Sequence, residues 1–322
     1  MKILICPLNW GLGHATRCVP LISKYIAEGH DVVLASDGYP MAFLKQAFPH
    51  LKILEIPSYS IRYAAGNSQI WAMAGNFPQI IKGIYHENKW LDTLLRAEHF
   101  DLVISDNRFG LWTKKTRSIY ITHQFMIKMP KWLKFFEPLA WWLHRQIINQ
   151  YNECWIPDYE VNGGLSGDLA HKYPFPKNAK FIGILSRFLA PENYMPNSHF
   201  DVVALVSGIE PQRTLFEKFI TQKYQKSIEK VLIVCGKPTV NNQFIENENR
   251  TFVSHLPDIE LAQYLIGAKK IIARSGYSTI MDLHVLKCLD KVEFIPTPGQ
   301  TEQEYLAGYI NERKSQIVPF TV

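Results

Sequence analysis

The chain has 322 residues, 47% of them hydrophobic and 20% charged, a balance that suits a folded body of enzyme size and excludes a largely disordered protein. Its formal charge of +6 favours anionic partners, and phosphorylated metabolites or acidic membrane surfaces fit this charge as well as nucleic acid does. Five scattered cysteines without a C-x-x-C pair indicate neither a disulfide framework nor a zinc site, so a reducing cytoplasm is expected.

Short aliphatic segments alternate with helical segments along the whole chain, which is the pattern of parallel sheets covered by helices. In the first half, strands are expected at 2–7, 31–35, 52–56, 101–105, 118–122 and 153–157, with helices at about 14–28 and 76–97. After the glycine and proline signals of 163–178, strands are expected at 181–185, 200–206, 230–235, 250–253, 270–273 and 292–295, with helices at about 212–222 and 278–286. The sequence therefore predicts an α/β protein of two doubly wound Rossmann-like domains, 1–160 and 161–322, that face a cleft.

A glycine turn at residues 9–17, N-W-G-L-G-H-A-T-R, follows the first strand and opens a helix. Gly11 and Gly13 allow backbone amides to approach a ligand, and a helix N-terminus favours negative charge. These two glycines, Arg17 of the same turn and His123 are candidate substrate-binding residues. A dinucleotide fingerprint needs a third glycine where this chain has Arg17, which weakens the case for NAD. Asp37, after the second strand, is placed like the ribose ligand of a dinucleotide enzyme, but turn chemistry explains it better.

His14 lies at the junction of this turn and its helix, and Asp106 ends the fourth predicted strand. If strands one and four are neighbours, as in the usual doubly wound order, Asp106 orients His14 and raises its basicity. His123 follows the fifth strand and falls on the same edge. Each of these residues also has a structural explanation, as a helix cap or as a hydrogen-bonded side chain.

Three turns between strand and helix in the second half carry small or polar residues, which suit a nucleotide sugar better than a dinucleotide. The candidate ligand-binding residues there are Ser207, Gly208, Arg213, Ser275, Gly276, Ser278, Thr279, Asp282, Gln300, Glu302 and Gln303. An acid near a helix N-terminus, such as Asp282, is also favourable for structure alone.

The segments G-L-G-H-A-T-R, A-R-S-G-Y-S-T-I-M-D and P-T-P-G-Q-T-E-Q-E-Y resemble those of GT-B glycosyltransferases of the MurG and diacylglycerol glucosyltransferase type, and the order of elements is similar over nearly the whole chain. The resemblance implies an N-terminal domain that binds the acceptor and a C-terminal domain that binds a nucleotide sugar, commonly a UDP-sugar. It implies the diphosphate loop at Ser207 and Gly208, phosphate contacts at Ser275, Gly276 and Ser278, ribose contacts at Asp282, sugar contacts at Glu302 and Gln303, and His14 as the base on the acceptor hydroxyl.

Two features depart from the family. Asp282 stands where the family usually has the longer glutamate, and the closing helices that return to the first domain are absent from a sequence that ends at Val322.

An inverting transfer needs a base at the acceptor hydroxyl and positive charge or dipoles at the leaving diphosphate. Helix N-termini with Arg213 or Arg274 meet the second need without a metal. The sequence contains no D-x-D motif, and the related Asp158-Tyr159-Glu160 stands in the linker, so neither a metal nor another cofactor is expected.

The segment 128–145 is rich in aromatic residues and lysines, and this composition suits a membrane surface or a lipid acceptor. Its members are Trp132, Phe135, Phe136, Trp141 and Trp142 beside Lys128, Lys131 and Lys134. Packing of this segment within the first domain is an equally simple explanation.

The sequence is thus interpreted as a cytoplasmic, metal-independent, inverting glycosyltransferase with a UDP-sugar donor and no nucleic-acid partner. It does not identify the acceptor, for which a lipid-linked molecule, with contact of the protein to the inner face of the membrane, is one option. The alternatives are a non-hydrolysing sugar-nucleotide epimerase, a non-catalytic protein that binds a sugar nucleotide or a lipid, and, less favoured, an NAD oxidoreductase.

Overall fold

The computed structural model describes residues 1–57, 77–238 and 244–313. These residues form two compact units. The first comprises the described residues 1–9, 14–57 and 77–185, and the second comprises 10–13, 186–238 and 244–313.

The first unit contains a seven-stranded sheet in which every paired strand is parallel. Its strands are β1 (Lys2–Pro7), β2 (Asp31–Ser36), β3 (Lys52–Glu55), β4 (Leu102–Asp106), β5 (Arg117–Ile121), β6 (Glu153–Ile156) and β7 (Ala179–Phe181). Their order is β3-β2-β1-β4-β5-β6-β7, the doubly wound order in which the direction of winding reverses between β1 and β4. This register sets Pro7 beside Asp106.

Helices cover this sheet, and the core forms between them and the strands. They span Gly13–Ala27, Gly38–Ala47, Phe77–Ala97, Glu137–Ile148 and Asp168–His171, with a 3-10 helix at Lys131–Phe136. β1 is an aliphatic run that is buried on both faces, as a central parallel strand requires. One cluster of the core packs Leu4 and Val33 of the sheet against Leu91 of the helix Phe77–Ala97.

The second unit contains a six-stranded sheet of the order β10-β11-β9-β8-β12-β13, in which only the pairing of β10 with β11 is antiparallel among the described strands. Its strands are β8 (Val202–Leu205), β9 (Val231–Val234), β10 (Ile245–Asn247), β11 (Arg250–Val253), β12 (Lys270–Ala273) and β13 (Val292–Phe294). Its helices are Gln212–Lys223, Asp258–Gly267, Tyr277–Val285 and Thr301–Arg313, with 3-10 helices at Pro191–Asn193 and Leu289–Lys291. Winding reverses here between β8 and β12.

Two Rossmann-like α/β units are thus observed, as the sequence predicts, but their boundary differs. The strand expected at 181–185 is β7, which pairs with β6 and extends the first unit to residue 185 instead of 160. The helices Gly38–Ala47 and Asp258–Gly267 and the strand β10 were not predicted. Within the described ranges, no helix is both long and apolar enough to cross a membrane.

A fully buried arginine ties together four segments of the first unit. Arg108 Nη2 donates to Asp37 (2.6 Å), Nη1 to Glu87 (2.9 Å), and Nε to the carbonyl of Pro7 (3.0 Å). The second oxygen of Glu87 accepts from the amide of Gly110 (2.9 Å). Asp37, considered above as a ribose ligand, therefore has a structural role in this cluster.

Replacing this arginine leaves two buried carboxylates without their cation. We expect Arg108→Met to destabilise the first unit by about 3–5 kcal/mol, the usual cost of breaking a buried ion pair from one side. Urea unfolding followed by circular dichroism measures the change. Lys115→Met, which removes the exposed pair of Lys115 with Asp92, is the control and should leave the midpoint unchanged. Equal midpoints for the two variants would contradict the structural role of Arg108.

Candidate functional site

Open parallel sheets bind ligands at the carboxyl ends of the two strands between which the winding reverses. In the first unit these strands are β1, which leads through the glycine turn to His14, and β4, which ends at Asp106. In the second unit they are β8 and β12, which are followed by Ser207 and by Arg274. The residues at these two edges are described separately below.

His14 and Asp106 are hydrogen-bonded to each other at the edge of the first sheet. His14 Nδ1 lies 3.0 Å from Asp106 Oδ1. Asp106 is fully buried, whereas the His14 side chain keeps 14% of its surface exposed. The structure therefore brings together the two residues of the sequence-based dyad, and it shows the strand adjacency on which that hypothesis depends.

Arg17 contacts the same carboxylate through two of its nitrogens. Its Nε donates to Asp106 Oδ2 (2.6 Å) and its Nη2 donates to Asp106 Oδ1. The Arg17 side chain is 1% exposed. The guanidinium of Arg17 is thus buried and paired with Asp106, and its contact with a substrate stays a prediction.

The charges of this cluster determine which nitrogen of His14 is free to act. Burial alone would raise the pKa of Asp106, but the charges of Arg17 and His14 and their hydrogen bonds hold it well below its usual range. Asp106 is therefore a carboxylate that only accepts, and Nδ1 of His14 must donate to it. The lone pair of the neutral ring then lies on Nε2, the atom that can take a proton.

The same surroundings lower the pKa of His14 below its ordinary value. Burial is the largest cause and the charge of Arg17 the second, and both outweigh the opposing effect of Asp106. His14 is thus a neutral base held in one orientation, rather than a histidine made more basic by its carboxylate as the sequence analysis expected.

His123 and Cys18 complete this cluster. Arg17 Nη1 donates to His123 Nδ1 (3.2 Å), which places His123 at the same edge, as predicted. Cys18 Sγ lies 3.4 Å from Asp106 Oδ2, a contact that the sequence analysis missed. The sequence spacing could have revealed this contact, because Arg17 and Cys18 stand three and four positions after His14 and therefore lie on the same face of the helix Gly13–Ala27.

At the edge of the second sheet, Arg274 is a buried cation without a carboxylate. It is 4% exposed, and its Nη1 donates to the carbonyls of Ile295 (3.0 Å) and Pro296 (2.7 Å). Its guanidinium lies 4.0 Å from the ring centroid of Phe216, and its Nε has no hydrogen-bond partner among the described residues. Burial lowers the pKa of Arg274 to about 10. A guanidinium held in this way is suited to an anion that supplies the missing acceptor.

Two predicted ligand-binding side chains of this unit are paired within the protein instead. Arg213 donates to Glu210 and Glu217 (2.7 Å each), so its charge is already neutralised and it is not the predicted phosphate partner. Asp282 accepts from Ser186 Oγ (2.7 Å) and from Arg187 Nε (3.2 Å). The predicted ribose contact by Asp282 would have to share the carboxylate with these bonds.

The remaining candidates of the second unit lie where turns meet helices. Gly208 has a φ of +113° in the turn after β8, a conformation that favours glycine, and Ser207 beside it is half-buried. Ser275 Oγ donates to the carbonyl of Gln303 (2.6 Å), and the side chain of Gln303 accepts from the amide of Thr297 (2.8 Å). The other candidates are half-buried and lie in or beside the first turns of the helices Tyr277–Val285 and Thr301–Arg313. They are Gly276, Ser278, Thr279, Gln300 and Glu302.

The glycine turn of the first strand has the backbone geometry that its sequence predicts. Gly11 has a φ of +89°, which a side chain would disfavour, and Gly13 begins the helix Gly13–Ala27. Asp158, in the sequence Asp158-Tyr159-Glu160 that was compared with a D-x-D motif, is a buried acceptor for the amides of Leu165 (2.8 Å) and Ser166 (3.0 Å). Among the described residues, no group of three or more His, Cys, Asp or Glu side chains is arranged to hold a metal ion.

No model of a protein family matches the sequence. A protein of Methanosarcina mazei named as an uncharacterized glycosyltransferase is 24% identical over 335 residues, which cover 97% of this chain and 84% of the relative. Among solved structures, the glycosyltransferase SnogD of Streptomyces nogalater superposes with a TM-score of 0.55 at 13% identity. The superposition covers 99% of this chain and 96% of SnogD. A Listeria monocytogenes protein described as a UDP-N-acetylglucosamine 2-epimerase has a TM-score of 0.53 at 11% identity, over 98% of this chain and 89% of its own.

These likenesses establish the fold. The chain has the two Rossmann-like sheets of GT-B glycosyltransferase structures, as the sequence predicted, and it is similar to glycosyltransferases in both sequence and architecture. The narrower resemblance to the MurG and diacylglycerol glucosyltransferase type stays a prediction.

The charge arrangement around His14 makes a prediction that requires no substrate. Since burial and Arg17 both lower the pKa of His14, its ring in the unmodified protein should titrate with a midpoint below 6.5. In Arg17→Met the carboxylate of Asp106 is no longer neutralised, so the midpoint should rise. Nitrogen-15 NMR of the histidine rings measures both values.

Lys24→Met is the matched control, because Lys24 is an exposed cation of the same helix and its removal should leave the midpoint unchanged. A midpoint above 6.5 in the unmodified protein, or a fall in Arg17→Met, would contradict this account of the cluster.

Proposed function

We propose that this protein is an inverting glycosyltransferase that moves a sugar from a UDP-sugar to an acceptor hydroxyl. The observation that carries the proposal is the hydrogen bond between His14 and a buried, ionised Asp106 at the point where the first sheet reverses its winding. In this assignment the first unit binds the acceptor and the second unit binds the nucleotide sugar.

In the proposed reaction, Nε2 of His14 takes the proton of the acceptor hydroxyl as the acceptor oxygen attacks the anomeric carbon. The bond between that carbon and the β-phosphate oxygen breaks, and UDP leaves with the electron pair. Asp106 keeps Nδ1 protonated and stabilises the imidazolium that forms, as a carboxylate does in other histidine dyads. Direct attack from the opposite side inverts the anomeric configuration.

The proposed donor site lies at the carboxyl edge of the second sheet. Arg274 would supply the positive charge for the diphosphate, because it is a buried guanidinium with unused donors. The turns around Gly208 and Gly276 would add backbone amides, with Ser207, Ser275, Ser278 and Thr279 beside them. A cation supplied by the protein is the reason to propose that the transfer needs no metal.

Asp282, Gln300, Glu302 and Gln303 remain proposed contacts to the ribose and the sugar. Of these, Asp282 already accepts from Arg187 and Ser186, and Gln303 already accepts from the Thr297 amide, so a ligand would have to use the remaining acceptor sites of these side chains or the NH2 group of Gln303.

We also propose a lipid-linked acceptor and peripheral association with the inner face of a membrane. The support is the set of exposed aromatic side chains between Trp132 and Leu143.

A sugar-nucleotide epimerase is the second candidate, because the Listeria monocytogenes protein with this fold is described as one. The two candidates differ in what they need. An epimerase changes a UDP-sugar without an acceptor, whereas a glycosyltransferase releases UDP and forms a new glycoside only when an acceptor is present. Product analysis by NMR with and without a lipid-linked acceptor separates them.

The donor site is tested by calorimetric titration with UDP, GDP, TDP and NAD in EDTA. UDP should bind without a divalent ion, and Arg274→Met should weaken its affinity about ten- to hundredfold, the effect of losing a charged hydrogen bond. Arg213→Met is the control, since that arginine is already neutralised and its loss should change UDP affinity less than twofold. Circular dichroism checks that both variants are folded. Binding of NAD alone, or equal losses in the two variants, would reject this donor site.

The base is tested by His14→Ala. We expect the rate constant of transfer to fall by about 10²–10⁴, the usual contribution of general base catalysis, while UDP affinity stays within twofold. A variant that retains full transfer activity would exclude His14 as the base, and a loss of UDP binding would mean that His14 supports the fold instead.

A further inference from the structure

A second cation, Lys237, stands at the carboxyl edge of the second sheet. The sheet order places β8 between β9 and β12, so the turns after these three strands are neighbours along this edge. Arg274 follows β12, Ser207 and Gly208 follow β8, and the turn Cys235-Gly236-Lys237 follows β9. The two cations therefore come from the two strands that flank β8. The sequence analysis did not single out Lys237.

The turn that carries Lys237 is packed against the end of β8. A side chain at Gly236 would have its Cβ 2.4 Å from the carbonyl oxygen of Val206, and the φ of +65° at this position also favours glycine. The amide of Lys237 donates to the carbonyl of Ser254 (2.8 Å), which fixes the other side of the turn. The backbone of Lys237 is thus held beside Val206, the residue that precedes Ser207.

The charge of Lys237 is not neutralised by an acid among the residues that the structure describes. Its side chain is half-buried. Two acids that follow β8, Glu210 and Glu217, are both paired with Arg213. Burial raises the pKa of the Cys235 thiol to about 11, and the charge of Lys237 acts against this rise, so the ammonium group lies near the end of β9.

We infer that Lys237 is the second cation of the donor site and binds a phosphate of the same nucleoside diphosphate that Arg274 holds. Each phosphate of a diphosphate carries negative charge, so cations from both neighbours of β8 match the two phosphates. The amides of Ser207 and Gly208 donate to no backbone carbonyl of the described residues, and they lie between the two cations in the order of the turns.

A lysine suits this position because its ammonium is a point charge on a flexible stem with three donors. It can therefore follow the negative charge that grows on the diphosphate as the bond to the sugar breaks. The inference rests on the proposed function for the identity of the ligand as a nucleoside diphosphate, since two cations fit any diphosphate.

The test is calorimetric titration of the full chain in EDTA with UDP and, separately, with inorganic pyrophosphate. Lys237→Met keeps the apolar stem and removes the charge, so both affinities should fall about tenfold, the effect of losing a charged hydrogen bond. The UDP affinity of this variant should also decline less steeply with added salt, because one ionic contact is missing. Lys237→Arg keeps the charge and should bind UDP within about threefold of the unmodified chain.

Lys226→Met is the matched control. Lys226 is an exposed lysine just before β9, at the opposite edge of the same sheet, and its loss changes the net charge by the same amount. It should leave both affinities within about twofold of those of the unmodified chain. Circular dichroism checks that every variant is folded.

Equal UDP affinities in Lys237→Met and Lys226→Met would overturn the inference, as would a loss in Lys237→Arg as large as that in Lys237→Met. If Arg274→Met weakens UDP binding and Lys237→Met does not, the proposed donor site stands without Lys237. Pyrophosphate binding that depends on Lys237, without any binding of UDP, would support the diphosphate site with two cations and reject the nucleotide-sugar donor. Failure of the unmodified chain to bind either compound would reject both.

Discussion

The buried ion pair of Arg17 with Asp106 is the constraint on which the first unit and its candidate site depend. A carboxylate with no exposed surface is stable only when a cation and hydrogen bonds replace its water, and Arg17 supplies both through two of its nitrogens. The parallel pairing of β1 with β4 brings the two residues together across 89 positions of sequence. The pair also fixes the protonated nitrogen of His14. A structural requirement of the core thereby determines which atom of the histidine remains available for chemistry.

The second unit has the same topology at its edge but the opposite electrostatics. At the first edge the charges of Arg17 and Asp106 largely cancel, and a neutral imidazole is left. At the second edge, among the described residues, the charge of Arg274 meets backbone carbonyls and an aromatic ring but no carboxylate. Carbonyl dipoles do not neutralise a guanidinium, so a full positive charge remains there. The two edges thus differ in charge, with a neutral imidazole at the first and a buried guanidinium at the second.

The sequence predicted the strands well because a parallel strand buried on both faces is a continuous aliphatic run, as in β1 and β8. It also predicted the proximity of His14 and Asp106, because one topological rule sufficed. It failed where a side chain has alternative partners far along the chain. Asp282 pairs with Arg187 at a separation of 95 residues, and no periodicity encodes such a choice. The strand β7 was assigned to the wrong unit because three residues, Ala179–Phe181, carry too little pattern to show which sheet they join.

The helix Glu137–Ile148 and the candidate site of the first unit are linked through one strand. Tyr120 lies in β5, and its hydroxyl contacts His144 of the helix Glu137–Ile148. His123 lies two residues beyond the end of β5 and contacts Arg17. The helix that exposes Trp142 is therefore attached to the same strand that leads to the His14 cluster. Attachment through a central strand favours a fixed geometry between helix and site, because a buried parallel strand cannot shift without breaking bonds to both neighbours. The helix Glu137–Ile148 and the His14 cluster therefore keep a set position relative to each other within the first unit.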